Sequence, residues 1–204
     1  MMKYSLIFLY IFLTLFWLIR FYFSSADIKK RLLELFQGSQ LPLLISLISV
    51  YLVFQDSDII NIGIFEKWGI VTLPALTILY FISIYMLTMK FPFDIDNYSS
   101  SLSVIKLFDF IYFTVAMVAG VFLFLGGKQC FPIINLYVNE KSILINVLMV
   151  IFKLGIVILF FSIIKKRLLR FSGQEVFLLS WKILFPLALI NLLVVLFLKY
   201  YLVI

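Results

Sequence analysis

Two ionisable side chains stand inside otherwise apolar runs: Asp109 in Leu107-Phe108-Asp109-Phe110 and Lys153 in Ile151-Phe152-Lys153-Leu154. A charge held among apolar residues at membrane depth is costly, so its default reading is functional, and for these two the chemistry would be proton relay. The plainer readings are a side chain that snorkels to the interface, or an ion pair between the two across neighbouring helices. A third feature is Lys90-Phe91-Pro92-Phe93-Asp94-Ile95-Asp96-Asn97, which mixes a proline, two aromatics and two acids. Pro92 biases Phe91 out of helical geometry and ends the run before it, while a simple solvated turn would need the acids but not the aromatics.

Other chemistries lack their residues. The chain contains no His and a single cysteine, Cys130, so the usual zinc, haem and di-iron ligand sets and an internal disulfide are all missing. No metal site is expected. Any redox centre must be bound by another chain, and a freestanding enzyme is the least favoured reading, because no nucleotide-binding glycine motif is present either.

The elements that would position these residues follow from composition. Of 204 residues 65% are hydrophobic and 13% charged, and the mean hydropathy is +1.18. Such a chain needs lipid as its solvent. The net charge of +7 sits in short loops between apolar runs, which points to membrane topology rather than nucleic acid. A bilayer core takes about 20 helical residues per crossing, and lipid tolerates only helices or closed barrels. The runs lack the strict alternation of a barrel.

The sequence therefore predicts an all-α, polytopic transmembrane helix bundle forming a single domain over 1–204, with six spans. They run approximately over 4–23, 41–54, 68–89, 104–125, 143–164 and 183–204. The second is short unless it begins within the preceding loop. In that loop Ile28-Lys29-Lys30-Arg31-Leu32-Leu33-Glu34-Leu35-Phe36 reads as an amphipathic helix lying at the interface. The first run resembles a signal sequence, but its length and the lack of a small-residue cleavage site favour a retained helix. Gly126-Gly127 ends the fourth span as a C-cap would.

One side of the bundle collects Arg20, Lys29, Lys30, Arg31, Lys90, Lys106, Lys165, Lys166, Arg167, Arg170 and Lys182, against Lys67, Lys128 and Lys141 on the other. The rich side should face the cytoplasm or the mitochondrial matrix, with both termini opposite.

Three motifs occur in a telling order: Pro92-Phe93-Asp94-Ile95, then Phe124-Leu125-Gly126-Gly127, then Trp181-Lys182-Ile183-Leu184-Phe185-Pro186-Leu187-Ala188-Leu189-Ile190-Asn191-Leu192. This order resembles NADH dehydrogenase subunit 1, the family of quinone-site membrane subunits of respiratory complex I, whose final helix carries W-K followed by L-P-L-A-L-x-N-L-L. By spacing, Asp109 resembles the acid of the family's F-x-x-E-Y stretch, and Lys153 resembles the family's Lys twelve residues before a basic residue, here Lys165. Gly38-Ser39-Gln40 and Ser57-Asp58-Ile59-Ile60 match more weakly.

The resemblance covers the family's third to eighth helices, so its first two helices would come from a second chain or be absent from a reduced subunit. It departs where the family carries acids and arginines: Leu87 replaces a Glu, Lys90 an Arg, Asn97 and Ser99 two acids, and Phe36 and Ile45 an Arg and a Glu.

The resemblance implies a membrane-arm subunit of NADH:ubiquinone oxidoreductase that helps form the quinone chamber and couples electron transfer to proton translocation. Lys90, Phe91, Phe93 and Asp94 would belong to the chamber and its loop, Asp94, Asp109 and Lys153 to proton coupling, and Arg170 and Lys182 to subunit contacts. No cofactor would be bound by this chain itself; ubiquinone would be the substrate at the interface with iron-sulfur subunits. Partners would be peripheral-arm and small membrane subunits, and the location the mitochondrial inner membrane or a bacterial cytoplasmic membrane. The alternatives are the membrane subunit of a related membrane-bound hydrogenase, or a small transporter or assembly subunit. A transporter would favour inverted repeats and broken helices, and the sequence suggests neither.

Overall fold

The computed structural model describes residues 5–22, 26–54, 69–88, 103–126, 143–165 and 173–202. Among these residues the chain is all helical: α1 (Ser5–Tyr22), α2 (Ala26–Phe54), α3 (Gly69–Thr72), α4 (Pro74–Leu87), α5 (Ser103–Phe124), α6 (Ile143–Lys165), α7 (Gly173–Leu179), a π-helical turn (Ser180–Leu184) and α8 (Phe185–Leu202). Among the described residues two stretches are long and apolar enough to cross a membrane by themselves, Leu33–Phe54 and Glu175–Tyr201. Four shorter apolar ones are Ser5–Ile19, Pro74–Leu87, Phe110–Phe124 and Val147–Ile163.

Helix α2 lies at the centre, packed on α4, α7 and α8, with α1 against its remaining side. Leu35, Leu43 and Val50 of α2 meet a core that also holds Leu76, Tyr80 and Ile84 of α4 and Ala116 and Phe124 of α5. Helices α6 and α8 are different. Phe152, Leu159, Phe160 and Ile163 of α6 and Ile190, Leu193, Phe197 and Tyr200 of α8 are exposed, apolar faces that water would not tolerate and lipid would.

Three expectations change. The second span is not a short helix behind a separate interfacial one, because Ile28 to Phe36 and residues 41–54 form the single helix α2. Leu35 is buried and Trp17 stacks on Phe36 at 3.8 Å, so tertiary packing draws the amphipathic segment into the bundle. The third span is interrupted. Leu73 departs from helical geometry (φ −133°, ψ 54°) directly before Pro74, since a residue preceding proline is pushed out of the α region and proline suits the first turn of the next helix. The Leu73 amide still donates to the Gly69 carbonyl at 2.6 Å and its carbonyl accepts from Thr77 at 3.0 Å, so the break is bridged.

The last helical stretch starts at Gly173 rather than Ile183, which places Trp181 and Lys182 inside a helix instead of before one. The widened turn has a local cause. Pro186 has no amide to pair with the Lys182 carbonyl and its ring would crowd that carbonyl. The chain opens instead to an i to i−5 bond from the Phe185 amide to the Ser180 carbonyl. The glycine cap reading holds: Gly126 follows α5 with a φ of 66°, the left-handed geometry of a helix C-cap.

Candidate functional site

Of the residues singled out by chemistry, Lys90, Phe91, Phe93, Asp94 and Arg170 lie outside the described residues. Asp109 sits on the first half of α5. Lys182 is exposed on the π turn. Lys153 is the one that the structure places in detail: it is 1% exposed, and its Nζ donates to the carbonyl oxygen of Leu125 at 2.6 Å.

That carbonyl belongs to the end of α5, where the last backbone acceptors have no partner within the helix. A cation there also meets the negative end of the helix dipole. The local sequence makes this possible, because Gly126 stops the helix and leaves its terminal carbonyls free to accept. Asp109 lies at the other end of the same helix. From Asp109 to Leu125 is more than four helical turns, about 24 Å along α5.

A second junction joins α2, α4 and the π turn. A Cβ added at Gly38 would collide with the Ser180 Oγ and press on the Met86 Cε, so only glycine allows α2 this close to the widened turn. The Ser180 hydroxyl, itself buried, donates to the Val176 carbonyl at 2.8 Å. Further buried hydroxyls lie along the two helices, Ser39, Ser46 and Ser49 on α2 and Thr77 and Ser83 on α4, with Thr88 at the α4 C-cap. Most are satisfied by carbonyls of their own helix, for example Ser49 to Ile45 at 2.8 Å and Thr77 to Leu73 at 2.9 Å. Such back-bonding is how hydroxyls are accommodated in apolar helices.

Tyrosines tie the remaining helices together. The Tyr80 hydroxyl donates to the Ala116 carbonyl at 2.9 Å, and that of Tyr112 to Leu13 at 3.2 Å. Tyr85 stacks on Phe161 at 4.3 Å. A Cβ at Gly120 would strike the Tyr80 and Phe81 rings, so this glycine permits the α4–α5 approach. Sequence reasoning missed Gly38, Ser180 and Gly120 as packing determinants. The available signal was small residues within apolar runs, which mark close helix approach in membranes but do not name the partner.

The geometry thus gathers the W-K motif, the π turn and the glycine-serine step of α2 at one place in the bundle. The sequence profile of the NADH dehydrogenase family matches residues 30–196, from within the first turns of α2 into the second half of α8. The chain belongs to the NADH dehydrogenase family. Among curated proteins no sequence matches it. Membership makes the chain a subunit of the complex I type, assembling with other subunits of that complex. A membrane location agrees with the two helices long enough to cross a bilayer and with the exposed apolar faces of α6 and α8.

Proposed function

We propose that the chain is the membrane-arm subunit that shapes the quinone chamber of a proton-translocating NADH:quinone oxidoreductase and takes part in coupling. The carrying observation is the family match across residues 30–196, which runs through every helix from α2 onward and includes the W-K motif. In this reading six helical passes form the bundle, with the interrupted α3–α4 pair as the third. Electrons arrive from iron-sulfur centres on neighbouring subunits, and ubiquinone is the substrate at that shared boundary.

Lys90, Phe91, Phe93 and Asp94 belong to the loop that closes the chamber, the phenyl rings offering apolar wall and Asp94 an acid beside it. Asp94, Asp109 and Lys153 are the ionisable groups left to carry coupling. Lys153 would do so from its cap on α5, where loss of a proton would leave an N–H to donate but remove the positive charge that strengthens the bond to the Leu125 carbonyl at the helix C-terminus. Arg170 and Lys182 face the peripheral arm, a role that suits the exposure of Lys182. The positive-inside bias places these residues on the cytoplasmic or matrix side of a bacterial or mitochondrial inner membrane.

The test is quinone-reductase activity together with proton pumping in the assembled complex. Asp109→Asn is expected to lower pumping more than electron transfer. Equal, wild-type values for both would remove Asp109 from the coupling path.

A further inference from the structure

Polar side chains buried without partners are rare and each requires an explanation. Two residues at the α1–α2 seam supply three such atoms: Trp17 Nε1, and Nε2 and Oε1 of Gln40. Trp17 is 6% and Gln40 8% exposed. Their placement along the seam is ordered. Lys29 Nζ lies 5.7 Å from the centre of the Phe21 ring, Phe21 stacks on Trp17 at 5.0 Å, and Trp17 on Phe36 at 3.8 Å.

Gln40 is one turn beyond Phe36 on the same face of α2, and Leu44 one turn beyond Gln40. From there an apolar groove of about 390 Å³ continues between α1 from Leu6 to Tyr10 and α2 from Leu44 to Tyr51. The contacts descend α1 as they climb α2, so the two helices are antiparallel. The seam therefore holds, in order, an ammonium, two neutral hydrogen-bond donors buried beneath its surface, and beyond them an apolar trough open on the outer face of the bundle.

That order is the order of a glycerophospholipid seen from the membrane surface: phosphate, ester carbonyl, acyl chain. We propose that the α1–α2 seam binds one anionic glycerophospholipid. Lys29 attracts its phosphate, with Lys30 and Arg31 adding to the basic cluster in sequence. Trp17 Nε1 and Gln40 Nε2 donate to an ester carbonyl, Gln40 Oε1 accepts from the water that accompanies such esters, and one acyl chain fills the groove. The donors are neutral, which suits an ester and would leave a carboxylate without a counter-charge. The proposal rests on the chain lying in a bilayer and not on the quinone reading.

The experiment uses the chain with whatever subunits accompany it, reconstituted in phosphatidylcholine vesicles containing phosphatidylglycerol with a photoreactive acyl chain. Crosslinks mapped by mass spectrometry should concentrate, several-fold over the exposed face of α6, on residues 6–10 and 44–51. Ile48→Trp, which fills the groove from an exposed position, should cut that labelling several-fold, with Ile48→Phe as a milder filling. Leu148→Trp on exposed α6 should leave it unchanged. Lys29→Gln should reduce the preference for phosphatidylglycerol over an equally labelled phosphatidylcholine.

Labelling spread evenly over α6, α8 and the groove would overturn the proposal. So would a Gln40→Leu variant that melts higher and labels as before, because the amide would then be merely dry and strained. Competition by a quinone analogue equal to that by phosphatidylglycerol would overturn it too and assign the seam to the chamber.

Discussion

At Lys153 a buried ammonium is tolerated because the end of α5 offers a carbonyl that no backbone amide can reach. Lys153→Met is therefore expected to destabilise the subunit by about 1–3 kcal/mol, the cost of a buried acceptor left unpaired. A thermal melt in detergent reads this directly. An unchanged melt with altered proton pumping would make Lys153 a coupling residue without a capping role. The glycines divide just as sharply. Gly38→Ala drives a methyl into Ser180 and should cost about 1–3 kcal/mol by overpacking. Gly155→Ala meets open space and should be neutral or stabilise by up to about 1 kcal/mol through helix propensity. Comparable melting shifts for the two would contradict the Gly38 contact. The charged residues and the Gly126 cap were legible in the sequence, since each announces itself locally. Gly38 was not, because its importance lies in a serine 142 positions away.

For the helices, legibility followed the same division between local and tertiary causes. The apolar runs that became α1, α5 and α6 were readable within a few residues at each end. The junction of the amphipathic segment with α2 was not, since nothing in Lys29-Lys30-Arg31 declares that Trp17 will stack on Phe36 and hold the segment in the bundle. The π turn has a local trigger in Pro186, yet its registration depends on α2 meeting Ser180. Such turns recur at functional sites. Deleting Lys182 together with Pro186→Ala, which removes both the extra residue and the reason for it, should restore ordinary helical winding with little change in helicity. Quinone-reductase activity of the assembled complex should fall. Full activity in that variant, with circular dichroism confirming helix, would make the wide turn a packing detail.

For the whole molecule, composition alone indicated lipid as solvent, and the exposed faces of α6 and α8 agree with it. The charge bias further predicts a topology with the Lys29–Arg31 segment inside and the C-terminus outside. Reporter fusions at Lys30 and after Ile204 should report opposite sides; the same side for both would require an odd number of crossings between them to be abandoned. Gentle detergent extraction, native separation and mass spectrometry of the band that holds this chain would show whether it works in the membrane arm of a complex I-type enzyme. Co-migration with iron-sulfur subunits and quinone-reductase activity in that band are expected. The chain migrating alone, or with carriers and no redox proteins, would contradict that role.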